Sequence, residues 1–276
     1  MTQCRHFMLK GVFAGAFCCA FAALAQEPEE TAFRQTIADC EQSWFGAEAN
    51  DGSVFLGYAY IDPYAGFTFE HYGRLEGKGE ALRAVPSDLI GTARLIQRVG
   101  HNFPATCLLA DQVAELGLPL VPETMQFYQD SRPPGEHHAA WAYHYNHIGA
   151  SDKALVHVQK ALEAGAASAA LTFEYAFALN VLGKFGETIA LLEPDYGSED
   201  MTADLIAELA YARLRQGDYE RAIELYTQAI DPGQGPVSTR RWEFARNIAA
   251  AYAELGDTER RETWMKRAKQ YREIKE

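Results

Sequence analysis

The sequence predicts a mainly α-helical chain, a stack of helical repeats preceded by a small α+β N-terminal region with a β-hairpin. Three observations predict it. Gly149, Gly183 and Gly217 stand 34 residues apart, each between two amphipathic runs. Residues 53–77, "SVFLGYAYIDPYAGFTFEHYGRLEG", are aromatic-rich without a helical period, and "DPYAG" in their middle is a turn-forming set. Pro133, Pro134 and Gly135 mark a boundary between the two kinds of sequence.

The first 25 residues read as a cleaved signal peptide, cut near Ala25–Gln26. Arg5 and Lys10 precede an uncharged apolar run, and Ala23 and Ala25 supply the small residues that a signal peptidase reads. The run is about 14 residues, short of the roughly 20 that cross a bilayer. The expectation is a periplasmic or secreted protein with no membrane insertion after cleavage. Beyond residue 25 the cysteines are Cys40 and Cys107. In an oxidising compartment they suggest one disulfide; two separate buried thiols are the alternative. No C-x-x-C is present, so a thioredoxin-like redox role has no support.

The charge is acidic: from residue 26 onward there are 38 acidic residues against 23 basic. This argues against nucleic acid or an anionic membrane as the main partner, because both need a basic footprint. Residues 237–276 form a mildly basic end, read as a solvated helix.

The N-terminal region, 26–134, comes next. Phe33, Ile37, Cys40 and Trp44 fall at helical spacing in "EETAFRQTIADCEQSWFG", which predicts a helix. Two strands joined at "DPYAG" follow, and "SDLIGTARLIQRV" and "ATCLLADQVAELGL" predict two more helices. "GRLEGKGE" is one residue short of a phosphate loop, and Lys78 precedes glycine instead of Ser or Thr. His71 reads as a half-buried strand residue. No hydrolase, metalloprotease or paired-carboxylate signature stands out, so no catalytic residue, metal or cofactor is expected.

In residues 135–276 each unit is a helix, a glycine turn and a second helix, with Ser151 or Asp218 placed to cap the second. These residues resemble the tetratricopeptide repeat family. In the copy at 203–236, Leu209, Ala210, Gly217, Tyr219, Ala222, Tyr226 and Ala229 fall on its signature spacing. The copy at 135–168 matches through Trp141, Ala142, Tyr145, Gly149, Ala154 and Ala161. That at 169–202 matches through Ala176, Gly183 and Phe185, with Thr188 where alanine is usual. After a five-residue shift, Ala249, Tyr252, Gly256 and Ala268 mark a fourth at 242–275, with Arg261 at an alanine position. The resemblance implies a right-handed helical solenoid whose helix pairs bury their apolar faces only by stacking.

The histidine-rich stretch "HHAAWAYHYNHIGA", residues 137–150, is sorted by that register. The resemblance places His137 and His144 against the layer before, His147 near the concave groove, and His138 on the side opposite His144. Two imidazoles, with His101 as the one obvious recruit, fall short of a zinc ligand set, so interface histidines are the reading.

The function expected is an exported protein- or peptide-binding scaffold or adaptor, with its ligand in the concave groove. A structural subunit of an envelope complex, or an enzyme with its site in the N-terminal region, are the other readings. In the family, positions five, six, nine, twelve and thirteen of each first helix line the groove. Carried over, they are Tyr143, Asn146, His147, Phe173, Phe177, Asn180, Tyr211, Arg215, Arg246 and Asn247. The partner expected is another protein or an extended peptide with an acidic group near Arg246; oligomeric state is left open. The family's carboxylate clamp is not reproduced, because Ala139 and Tyr143 stand at two of its places.

Overall fold

The computed structural model describes residues 35–77, 81–87, 95–231, 233 and 238–273. The expected signal peptide and Lys78 of the glycine-rich loop lie outside the described residues. Within them, no helix is long and apolar enough to cross a membrane. The chain divides into two compact units. The first takes in residues up to Tyr60, Phe69–Gln97 and Phe103–Pro122; the second takes in Ile61–Thr68, Arg98–Asn102 and Glu123 onward.

The first unit is built on a sheet. Its strands are β1 (Gln35–Thr36), β2 (Ser43–Glu48), β3 (Val54–Asp62), β4 (Gly66–Glu76), β5 (Arg83–Pro86), β6 (Leu95–Arg98) and β7 (Pro104–Cys107). They lie in the order β1-β7-β2-β3-β4-β5, with β6 paired to β4. β2 runs antiparallel to β3, with Ser43 opposite Ala59 and Glu48 opposite Val54. The β3–β4 hairpin forms where the sequence predicts it. Asp62 closes its turn by accepting from the backbone N–H of Tyr64 and Ala65, at 2.8 and 2.6 Å. Gly66 follows at φ 87°, a left-handed conformation that favours glycine.

Three sequence expectations are corrected here. Residues 29–46 do not form one helix: β1, a 3-10 turn at Ile37–Cys40 and β2 occupy the described part. Thr36 caps the turn by donating its N–H and hydroxyl to Asp39, at 2.8 and 2.9 Å, and Gln42 breaks the run at φ 57°. Trp44 and Phe45 then alternate across β2, as adjacent strand residues must. Trp44 meets Tyr58 and Tyr72 edge-on, while Phe45 meets Phe55 and Phe69. A helix would have set these two rings about 100° apart, a geometry that cannot fill both faces of a layer. Leu95–Arg98, expected to be helical, is strand β6; residues 88–94 of that segment lie outside the described residues. In 105–118 only Ala110–Glu115 is helical (α1), because Ala105–Cys107 pair in β7. Cys107 is joined to Cys40 by a disulfide, with Cα atoms 5.0 Å apart.

The second unit is a stack of helix pairs: α2 (Pro134–Ile148) with α3 (Ser151–Glu163), α4 (Ala169–Val181) with α5 (Phe185–Leu192), α6 (Ala203–Arg215) with α7 (Tyr219–Ile230), and α8 (Arg241–Glu254) with α9 (Thr258–Glu273). Gly149, Gly183, Gly217 and Gly256 turn each pair at φ 86°, 75°, 85° and 74°, the left-handed helix stop. Ala142, Ala176, Ala210 and Ala249 are buried where the helices approach, and a larger side chain there would overpack. Arg261, at its alanine position, faces solvent on α9. Thr188 is fully buried and its hydroxyl has no hydrogen-bond partner among the described residues; nothing in the structure explains it.

The unit's other two segments cover α2. Phe67 meets Tyr145 edge-on with centroids 5.8 Å apart, and Asn102 N–H donates to the Ile148 carbonyl at 2.7 Å. A side chain at Gly66 would begin 3.0 Å from His144 Nδ1, so the hairpin tip needs glycine for space as well as for φ.

Candidate functional site

The first helices of the last three pairs line an open cavity of about 200 Å³. α4 contributes Phe177, Asn180 and Val181; α6 contributes Ala207, Glu208 and Tyr211. Glu243, Phe244 and Asn247 come from α8, Arg240 from its N-cap, and Tyr226 from α7. Four of the residues expected to bind ligand are thus brought together: Phe177, Asn180, Tyr211 and Asn247. The other six do not line it. Tyr143 stacks on the exposed His147 at 5.9 Å, and Phe173 stacks on Phe177 at 6.1 Å. Arg215 donates to the Tyr211 hydroxyl at 2.7 Å and lies over the Phe185 ring. Arg246 lies over Trp242.

The sixth, Asn146, has a structural task that recurs one repeat later. Its Nδ2 donates to the Glu174 carbonyl at 3.0 Å and to the Glu174 carboxylate at 2.8 Å. Asn180 makes the same two bonds to Glu208, at 3.0 and 2.9 Å. Each asparagine therefore ties one first helix to the next. Both are buried.

Sequence reasoning missed Glu208, Arg240 and Glu243, which dominate the electrostatics. Glu208 is 4% exposed, and Arg240 donates to it at 3.1 Å while also reaching Glu243 at 3.1 Å. Ser238 sets Arg240 in place by accepting its N–H at 3.0 Å while donating to Asp204 at 2.8 Å. Burial pushes the Glu208 carboxyl above its ordinary range, against the pull of Arg240 and Asn180. Burial also works against the Arg240 charge, but Glu208 and Glu243 more than offset it and hold the guanidinium above its usual value.

The histidines lie away from this cavity. His138 Nδ1 is 3.3 Å from His157 Nδ1 on α3, and His137 Nδ1 is 2.8 Å from Asp130. Among the described residues, no group of three or more His, Cys, Asp or Glu is arranged to hold a metal ion. Burial lowers His138, His144 and His157, the last two to about 4. The unfolded chain, with ordinary histidines near 6.5, binds more protons than the folded one in this window. Stability is therefore expected to fall as pH drops from about 6.5 toward 4, by on the order of 1 kcal/mol at pH 5 from His144 alone. Glu174 and Glu208, both raised by burial, act in the opposite sense and soften the fall. Denaturant midpoints at pH 7 and pH 5 check this, with His144→Gln expected to flatten the profile. A midpoint that did not fall would rule it out.

No family model and no curated protein matches the chain. Among solved structures, a crystal structure of MamA aligns at TM-score 0.44 and 18% identity, over 55% of this chain and 85% of that one. A structure of a Podosopora anserina kinesin light chain, described as having nearly identical TPR-like repeats, aligns at TM-score 0.40 and 18% identity, over 55% and 82%. The helical part is an array of stacked helix–turn–helix repeats by its own geometry: the 34-residue glycine period, the left-handed turns and the buried alanine contacts.

Proposed function

We propose that this chain is a non-enzymatic scaffold exported to the cell envelope, holding an extended segment of a partner protein along its first helices. The observation that carries the reading is the cavity shared by α4, α6 and α8, with the half-buried rings of Phe177 and Tyr211 one repeat apart in its wall. Aromatic side chains held this way offer large contact area at little entropic cost, the usual makeup of a binding hot spot. Export rests on the basic, apolar and small-residue order of residues 1–25.

Phe177→Ala/Tyr211→Ala should weaken capture of partners from an envelope fraction by at least about tenfold, the loss expected for two hot-spot rings. The helical circular-dichroism signal should be retained. Recovery of the same proteins at wild-type amounts by the double variant would overturn the reading.

A further inference from the structure

The donors and acceptors of the cavity wall are out of balance. Asn180 Nδ2 is committed to Glu208, and Asn247 Nδ2 donates to the Tyr226 hydroxyl at 2.8 Å. Arg240 is shared among Glu208, Glu243 and Asp204, the last at 3.8 Å. These amide and guanidinium donors are thus engaged within the protein, while the Tyr211 and Tyr226 hydroxyls accept from Arg215 and Asn247. What remains is acceptor capacity: carboxylate lone pairs and the buried Asn180 Oδ1, which has no hydrogen-bond partner among the described residues. Charge runs the same way. Among the lining residues, the two carboxylates of Glu208 and Glu243 outnumber the one guanidinium, that of Arg240.

The cavity is also small. Drug-sized ligands occupy pockets of roughly 300–1,000 Å³, whereas about 200 Å³ suits a single side chain. Its wall includes the rings of Phe177, Tyr211, Tyr226 and Phe244, and guanidinium groups already lie over two of them, Arg215 over Tyr211 and Arg240 over Phe244. An acidic ligand group, the expectation carried by Arg246, would meet no free cation in this wall, since Arg246 stands outside it.

We propose that the cavity receives one basic side chain, lysine or arginine, from an extended partner segment. The chemistry is electrostatic complementarity in a partly dry site: the ligand cation donates to Glu243 and its neighbours and lies against the Tyr211 and Phe177 rings. This rests on the groove reading above and specifies its partner.

The test is an NMR titration of the isotope-labelled protein with three heptapeptides blocked at both termini, identical except for lysine, leucine or glutamate at the centre. The lysine peptide should shift the amides of Asn180, Tyr211 and Asn247, with affinity about tenfold above the glutamate peptide. Glu243→Gln should weaken the lysine peptide by about threefold and leave the leucine peptide unchanged. Glu259→Gln, the same charge change on an exposed face of α9, should have no effect, which separates the site from the acidity of the whole chain. If the leucine or glutamate peptide binds these amides as well as the lysine peptide, the basic specificity is wrong and the groove survives. If no peptide moves them, both readings fall.

Discussion

Arg240→Ala is expected to destabilise the second unit by about 3 kcal/mol, because it strands a buried carboxylate. Glu208 keeps 5% of its side-chain surface and Arg240 keeps 30%, so the cost sits at the lower end of what breaking a buried pair entails. The sign of the pH dependence separates this from simple loss of packing. Without its guanidinium, Glu208 is raised further above its unfolded value, and a raised carboxyl loses its stabilising contribution as pH climbs through the folded value. The penalty should therefore shrink at pH 5 and grow at pH 8. Glu208→Leu/Arg240→Met should recover most of the loss, since replacing both partners leaves no charge uncompensated. Urea unfolding of the three proteins at the two pH values reads all of this. An equal penalty at both pH values would show that Arg240 acts through its apolar stem alone.

That pair also shows where the sequence was readable. Glycine and alanine spacing made the repeats legible because close helix approach and left-handed turns allow few alternatives, and Gly149, Gly183, Gly217 and Gly256 occupy such turns. The cavity wall was legible in part. Phe177, Asn180, Tyr211 and Asn247 follow from register, but register cannot say whether an asparagine faces a ligand or the next helix. The signal was present: Asn146 and Asn180 recur at 34 residues, and Glu174 and Glu208 recur at the same interval. Glu208 sits in an otherwise apolar run, Leu205 to Ala210, where a lone carboxylate implies a partner. Arg240 was harder to find because it lies within the five-residue break in period, between the third repeat and the fourth. In the N-terminal region, Trp44 and Phe45 gave an ambiguous period, since a short apolar run fits a helix or a strand until its neighbours are known. The hairpin escaped that ambiguity because "DPYAG" fixes its turn.

Removing the disulfide, as Cys40→Ala/Cys107→Ala, is expected to cost about 4 kcal/mol, the chain-entropy value for its loop; the two cysteines stand 67 residues apart in sequence. The loss should fall on the first unit. Cys40 ends the 3-10 turn and Cys107 ends β7, so the bond pins that turn to the strand lying between β1 and β2. The closed loop contains β2, β3, β4, β5 and β6, so freeing it enlarges the unfolded ensemble of nearly the whole sheet. The packing of Phe45 against Phe55 and Phe69 does not pass through the sulfurs, so the folded sheet itself should persist at low temperature. Hydrogen exchange can assign the effect: amides of β2, β3 and β7 should lose protection, while those of α6, α7 and α8 should keep theirs. The same pattern should follow reduction of the wild-type protein, which separates the covalent bond from the loss of two sulfur atoms in packing. Uniform loss of protection across α6–α8 would instead show that the two units unfold as one, and that the disulfide stabilises the repeats as much as the sheet.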